Sequence, residues 1–265
     1  MASAGRLVIL ATLTLPIVCL RRDLLLAQQP PVVSGSNEKT IRTCPYEQNY
    51  KLWPDVVAKC GPKFSHDEHA CVKYDLDKKY VITKDTGSAK PVAYLIIPME
   101  QMKGVEDSRI FQLPYLNLWE YGLEESITYP GPRPGHIIGM AINAKCARVD
   151  GQLHIHISCV GPRLLKKLKE SDPIIPYAPG LPLTLPDIGG VEGTYRVIKV
   201  KALSDQNSPF EVVRNFPGAK ENMADQGIAV IPTQKLGEYY VLNTIYGGSG
   251  NGHAEELLDQ TCALQ

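Results

Sequence analysis

Two histidines stand at alternate positions of one short stretch of the chain, QLHIHISC, which covers residues 152–159. Side chains alternate between the two faces of a strand, so a strand here separates its polar from its aliphatic residues. The polar residues that share one face are Gln152, His154, His156 and Ser158. A single histidine is most often a satisfied surface or core residue, whereas two on one strand face favour a role in chemistry.

Two imidazoles separated by one residue suit two kinds of site. They can act directly on a substrate, or they can bind zinc together with a third ligand. The candidates for that ligand are His69, His136 or a carboxylate, and none of them has a diagnostic spacing. We therefore expect a site without metal or other cofactor, and we keep a zinc enzyme as the alternative.

The elements that position this stretch alternate between strands and helices. A hairpin is predicted from residues 80–85 and 92–98, and a strand at 136–144 precedes the histidine strand at 152–160. Three more strands are expected at 194–202, 227–233 and 238–246. Helices are expected at 46–60, 115–127, 162–171, 211–224 and 254–262. This order predicts an α+β fold built on an antiparallel sheet with flanking helices and a strand-rich C-terminal extension.

The N-terminus predicts export. Residues 7–20 form an apolar run after Arg6, shorter than the roughly 20 residues of a membrane-spanning helix. We interpret residues 1–27 as a signal peptide or N-terminal membrane anchor, 28–43 as a flexible tether and 44–265 as the folded domain. Six of the seven cysteines lie in that domain, and an even number in an exported chain favours disulfides.

The charge balance excludes one class of partner. The 265 residues carry 28 basic and 28 acidic side chains, for a formal net charge of zero. A protein that follows nucleic acid needs a visibly basic surface, so we expect no nucleic-acid partner. No obligate protein partner is inferred.

Several motifs in order resemble a known family. They include LWPDVVAKC, YVITKDTG, YLIIP, MAINAKCARVDGQLHIHISC, GTYRVIKV and AEELLDQTC. Together they resemble the CDP-diacylglycerol pyrophosphatases of the histidine triad superfamily, along nearly all of the chain after the tether. The resemblance implies a HIT-like fold and hydrolysis of CDP-diacylglycerol to CMP and phosphatidate in phospholipid metabolism. Together with the export signal, this lipid substrate predicts a membrane-associated domain outside the cytoplasm, which is periplasmic in a bacterium, or a secreted protein if the signal is cleaved.

The resemblance also implies residue roles. The middle triad position is His154, whose neutral imidazole can attack phosphorus and form a covalent nucleotidyl intermediate. His156 would contact phosphate or assist the leaving group. Gln152 stands where the triad has its first histidine and would orient the nucleophile. Asn143 matches a superfamily residue near the phosphate or ribose, and we predict that it binds substrate.

Two disulfides follow from the same resemblance. It implies bridges from Cys60 to Cys71 and from Cys159 to Cys262, while Cys44 and Cys146 either pair with each other or leave Cys44 free. Two other functions stay open beside the main hypothesis. One is a different nucleotidyl hydrolase or transferase of the superfamily, and the other is a non-catalytic nucleotide-binding or lipid-binding protein.

Overall fold

One antiparallel sheet organises the chain. The computed structural model describes residues 44, 49–55, 57, 60, 71–85, 90–131, 133–188, 193–248 and 250–263, which fall within one compact unit. The segments predicted as signal or anchor (1–27) and tether (28–43) lie outside these residues. No helix in the described part of the chain is long and apolar enough to cross a membrane.

Ten strands among the described residues form the sheet. They are β1 (Cys71–Asp75), β2 (Tyr80–Lys84), β3 (Tyr94–Pro98), β4 (Ile138–Ile142), β5 (Ile155–Val160), β6 (Leu183–Pro186), β7 (Thr194–Val200), β8 (Gln226–Pro232), β9 (Tyr239–Ile245) and β10 (Leu258–Asp259). Nine of them lie in the order β1-β2-β3-β5-β4-β8-β9-β7-β6, and β10 pairs with β5. The histidine strand β5 is thus central, between β3 and β4. The C-terminal strands continue the same sheet, because β8 pairs directly with β4.

Four α-helices accompany the sheet in the described part of the chain. They are α1 (Leu52–Asp55), α2 (Leu118–Ser126), α3 (Pro162–Ser171) and α4 (Pro209–Arg214). Helix α3 matches the predicted bounds, because Pro162 suits a first helical position and the helix buries Leu164 and Leu168 on one face. Helix α2 begins after a 3-10 turn at Tyr115–Asn117.

Each face of the sheet carries its own hydrophobic cluster. On one face, Ile155 and Ile157 of β5 pack with Trp119 of α2 and Phe210 of α4. Trp119 and Phe210 meet edge to face, with ring centroids 5.4 Å apart. On the other face, Val160 packs with residues of α3 and with the C-terminal turn. The histidines lie on this second face, nearer the start of β5.

The structure confirms the predicted hairpin of β2 and β3 and the strands β4, β7, β8 and β9. Strands β1 and β6 were not predicted. The predicted helix at 254–262 is wrong. The segment forms a 3-10 turn, Ala254–Leu257, and then β10. Leu258 and Asp259 pair with Val160 and Cys159, where β5 extends beyond β3 and offers free backbone groups.

The predicted helix at 211–224 is also interrupted. Helix α4 ends at Arg214, and a 3-10 turn follows at Lys220–Asp225. Between them the chain passes Pro217 and then Gly218, whose φ of +74° leaves the helical region.

Candidate active site

Both histidines lie at the N-terminal end of β5, beneath a cavity. His156 belongs to the strand and pairs with Leu95 of β3 and Ala141 of β4. His154 comes just before the strand, which begins at Ile155 and is shorter than predicted. The two imidazole rings meet edge to face with centroids 4.9 Å apart. Period-two alternation therefore brings both side chains to one place, although only one of them is in regular strand.

His154 is held as a single neutral tautomer. Its Nδ1 lies 2.7 Å from the carbonyl oxygen of Gln152, and a carbonyl can only accept, so Nδ1 carries the proton. Burial, reinforced by the nearby charge of His156, lowers the pKa of His154 from 6.5 to about 4. Near neutral pH this ring is uncharged and its Nε2 keeps a free lone pair.

His156 has the opposite electrostatic environment. Its Nε2 lies 2.6 Å from Oε2 of Glu255, and its Nδ1 lies 3.6 Å from Oδ2 of Asp85. Neither nitrogen forms a hydrogen bond of normal direction within the described residues, so we treat these contacts as electrostatic. Burial by itself lowers the pKa of His156, but the charge of Glu255 and the contact with Asp85 outweigh it and raise the pKa above 6.5.

Lys90 completes a compact group of charges. Its Nζ donates to Oδ2 of Asp85 at 3.0 Å and lies 3.7 Å from Oε1 of Glu255. Although burial opposes ionisation of both carboxyl groups, His156 and Lys90 lower the pKa of Asp85 and of Glu255 below their usual values. Two cations and two anions therefore balance when His156 is protonated.

Gln152 is fully buried, and its side chain binds backbone away from His154. Its Oε1 accepts from the N–H of Met102 at 3.1 Å, and its Nε2 donates to the carbonyls of Glu100 at 3.0 Å and Pro98 at 3.5 Å. The amide thus fastens the segment after β3. The contact that orients His154 comes from the Gln152 carbonyl, so residue 152 reaches this ring through its backbone.

Asn143, at the end of β4, is buried beside the cavity. Its Oδ1 accepts a hydrogen bond from the backbone N–H of Glu255 at 3.0 Å. The side-chain oxygen of this predicted substrate-binding residue is therefore already bound by the protein. Ser158, the last polar residue of the histidine face, lies 3.2 Å from the Val92 carbonyl and 3.1 Å from the Asp259 carbonyl, so it joins β5 to the C-terminal segment.

The segment 49–55 forms one wall of the cavity and is attached to the loop that precedes β5. Asn49 donates its side-chain N–H to the Val149 carbonyl at 2.7 Å and accepts the N–H of Gly151 with its own carbonyl. Asp150 accepts from the N–H of Leu52 at 3.1 Å and from the N–H of Gln152 at 2.8 Å. The wall and the histidine segment therefore share one anchoring carboxylate.

Three disulfides fix the surroundings of the site. Cys60–Cys71 and Cys159–Cys262 form as the family resemblance implies, and Cys44 pairs with Cys146. The Cys44–Cys146 bridge ties the start of the folded domain to the loop before the histidines. The Cys159–Cys262 bridge fastens the C-terminal segment to β5.

The cavity above the histidines has a volume of about 560 Å³. Charged residues (Asp85, Lys90, Glu255) line one part, and apolar residues (Leu52, Leu95, Val149) line another. A second cavity of about 590 Å³ lies on the opposite face of the sheet, near Leu116, Ile198 and Phe216, and holds none of the predicted site residues. The predicted site residues His154, His156 and Asn143 therefore line the first cavity.

Sequence reasoning missed Asp85, Lys90 and Glu255. A polar residue at the end of the predicted strand 80–85 could have drawn attention to Asp85, whereas no spacing links Glu255 to His156. The alternative zinc site gains no third ligand from His136, because that residue precedes β4 at the Cys159 end of β5. His69 lies outside the described residues. No group of three potential metal ligands occurs among the described side chains.

The chain is similar to proteins of known family. The CDP-diacylglycerol pyrophosphatase family model matches residues 47–265. A CDP-diacylglycerol pyrophosphatase from Yersinia pestis is 28% identical over 226 residues, covering 80% of this chain and 84% of that protein.

Two solved structures of the yeast Ap4A phosphorylase Apa2 also resemble the chain. The complex with AMP has a TM-score of 0.43 at 13% identity and covers 77% of this chain and 70% of that one. The other structure has a TM-score of 0.45 at 12% identity and covers 77% and 69%. The family match extends over the whole described core, including both histidines. The chain therefore belongs to the CDP-diacylglycerol pyrophosphatase family.

Proposed function

We propose a two-step mechanism for the hydrolysis of CDP-diacylglycerol to CMP and phosphatidate, the reaction of the family, with His154 as a covalent nucleophile. The observation that carries this proposal is the contrast between two adjacent buried imidazoles. His154 has its Nδ1 proton bound by the Gln152 carbonyl and a lowered pKa, while His156 is surrounded by carboxylates and has a raised pKa. Two neighbouring histidines whose pKa values are shifted in opposite directions suit the separate roles of nucleophile and general acid.

In the first step, Nε2 of His154 attacks the phosphorus of the CMP moiety. The N–P bond forms and the bond from that phosphorus to the bridging oxygen breaks, so the electron pair leaves with phosphatidate. His156 donates its proton to the leaving oxygen and becomes neutral. The proton of His154 stays on Nδ1 and remains hydrogen-bonded to the Gln152 carbonyl, which stabilises the positive charge that develops on the attacking ring.

In the second step, water attacks the same phosphorus. The P–N bond breaks, the electron pair returns to Nε2 of His154, and one water proton passes to neutral His156. The remaining O–H of the water stays on the phosphate of CMP. Both imidazoles then have their starting protonation states, and one diphosphate linkage has been replaced by two phosphate monoesters.

The apolar part of the cavity supports an orientation for the lipid. Val149 lines the cavity and is 65% exposed, and Leu52 lines the same cavity. We propose that the diacylglycerol lies at this side of the cavity, because burial of its apolar chains is most favourable where apolar residues line the opening. The charged side near Lys90 would then receive the diphosphate.

We also propose that the protein is exported and works at a membrane surface, with residues 1–27 acting as a signal peptide or anchor. The apolar run at 7–20 and the three disulfides of the folded domain support this proposal. Fractionation of cells that express the full chain tests it. Recovery of the protein from the cytosol with reduced cysteines would contradict it.

The central experiment traps the intermediate. The purified protein is mixed with CDP-diacylglycerol labelled in the cytidine, in detergent and with chelator, and is then denatured at neutral pH. We expect label on the protein, and we expect His154→Ala to lose both the label and CMP release. His136→Ala is the matched control, because His136 lies at the other end of β5 and should retain both signals. Activity in His154→Ala would refute the nucleophile.

Isotope transfer checks which phosphorus is attacked. In a single turnover in water enriched in oxygen-18, the proposed route places the heavy oxygen in CMP. Heavy oxygen in phosphatidate would mean that the phosphorus of the phosphatidyl moiety is attacked. The group attached to His154 would then be phosphatidyl and not CMP.

A further inference from the structure

We propose that Glu255 is a positioning residue that holds His156 in its charged form, and that the glycine-rich segment before it exists to bring this carboxylate into the site. Glu255 lies 99 positions from His156 in the chain, on the C-terminal 3-10 turn. The proposal rests on the proposed function, because a charged His156 matters to turnover only if it protonates the leaving phosphatidate.

The approach of the C-terminal segment depends on Gly252. This residue has a φ of +74°, and a Cβ on it would lie 2.8 Å from the Cβ atoms of Ala144 and Tyr246. Its carbonyl accepts the N–H of Ala144 at 2.9 Å. A side chain would therefore be strained in its backbone conformation and would also push the segment away from the end of β4.

Asn143 then fixes Glu255. The 3.0 Å hydrogen bond from the Glu255 N–H to Oδ1 of Asn143 sets the start of the turn against β4. The far end of the segment is secured by the pairing of Leu258 with Val160 and by the Cys159–Cys262 disulfide. With both ends attached to the strands that flank the site, the Glu255 carboxylate comes within 2.6 Å of His156.

Among the described residues, His156 contacts the carboxylates of Asp85 and Glu255 and the ring of His154, and Lys90 lies against both carboxylates. Asp85 lies farther away, at 3.6 Å, and the same oxygen accepts a hydrogen bond from Lys90. Glu255 presents Oε2 to His156, whereas Lys90 lies 3.7 Å from the other oxygen. His154 is neutral and contributes no anion. Glu255 is therefore the main source of the attraction for a proton on His156.

The neighbouring imidazole shows the effect of burial at this site. His154 is also buried, and burial together with the nearby charge of His156 outweighs the attraction of Glu255 and lowers the pKa of His154 to about 4. With the rings only 4.9 Å apart, the carboxylates on the His156 side are what divide two like residues into a neutral nucleophile and a charged acid.

The test compares Glu255→Gln with Glu256→Gln. Glu256 lies on the same turn, is exposed and hydrogen-bonds Asn251, so its substitution removes the same charge without touching His156. The pKa of His156 is read by NMR titration of the imidazole, and the pH profile of kcat/KM is measured in parallel. We expect Glu255→Gln to lower the pKa of His156 by at least about one unit and to move the alkaline limb of the profile by the same amount.

In terms of rate, the Glu255→Gln variant should lose roughly tenfold or more at the alkaline end and much less at the acidic end. Glu256→Gln should follow the unaltered protein throughout. Asp85→Asn serves as the second variant if Glu255→Gln folds poorly, and it should shift the pKa of His156 in the same direction by a smaller amount.

The outcomes separate the two proposals. An unchanged pKa of His156 in Glu255→Gln, or a larger shift in Asp85→Asn than in Glu255→Gln, overturns the role of Glu255. A lowered pKa with an unchanged pH profile upholds the pairing and removes His156 as the acid in the proposed mechanism. A uniform loss of rate with an unchanged pKa shows that Glu255 is merely structural.

Discussion

Replacing Gln152 by histidine restores the first residue of the triad motif, and the structure predicts that the variant is less stable yet still active. The buried Gln152 amide makes one acceptor contact, with Met102, and two donor contacts, with Glu100 and Pro98. A neutral imidazole has one donor and one acceptor on a rigid ring, so at least one of these three contacts is lost.

The expected loss of stability follows from burial. Leaving one buried backbone group without its partner costs about 1–3 kcal/mol in the free energy of unfolding. For a domain of this size, each kcal/mol lowers Tm by about 2–4 °C. Catalysis should change little, because the carbonyl that binds Nδ1 of His154 belongs to the backbone of residue 152. We therefore expect turnover within about tenfold of the parent, or about 1.4 kcal/mol in the barrier.

The assay pairs thermal unfolding with CMP release from CDP-diacylglycerol in detergent, measured well below Tm. Gln152→Glu is the matched control: it keeps the shape and the acceptor for Met102 but places a carboxylate oxygen against the carbonyls of Pro98 and Glu100. It should be less stable than Gln152→His. A Gln152→His variant with an unchanged Tm and a rate more than tenfold lower would refute this reasoning, as would an inactive parent that the substitution activates.

Three further changes test other parts of the structure. Between pH 7 and pH 5, His154 gains a proton in the unfolded chain but not in the folded protein, where its pKa is about 4. The contribution of His154 to the free energy of unfolding therefore falls as pH falls. The unaltered protein should lose about 2 kcal/mol more over this range than His154→Asn. Urea unfolding at both pH values measures this, and equal losses would contradict the burial of a neutral ring. Replacing both Cys44 and Cys146 by serine should lower the free energy of unfolding by about 2–4 kcal/mol. It should also raise KM for the lipid, because the cavity wall loses an attachment. An unchanged Tm and KM would show that the bridge is dispensable. Gly252→Ala should lower activity at alkaline pH by displacing Glu255, and parent-like pH profiles would argue against that route.

The sequence alone determined the features that depend on local periodicity. Alternation along residues 152–159 placed His154 and His156 together, and helix α3 and the hairpin of β2 and β3 followed from short-range patterns. Family resemblance supplied the reaction, the nucleophile hypothesis and two of the disulfide pairings. These inferences needed no knowledge of which distant segments meet.

Only the tertiary structure decided the electrostatics of the two histidines. Asp85 and Glu255 reach His156 from positions 71 and 99 residues away, through strand pairing, the Cys159–Cys262 bridge and the turn after Gly252. The same long-range pairing converted the predicted C-terminal helix into β10, because the free edge of β5 offered backbone partners that local propensity cannot register. A pKa depends on burial and on charges within a few ångströms. The sequence therefore identified both imidazoles, but the fold lowered the pKa of one and raised the pKa of the other.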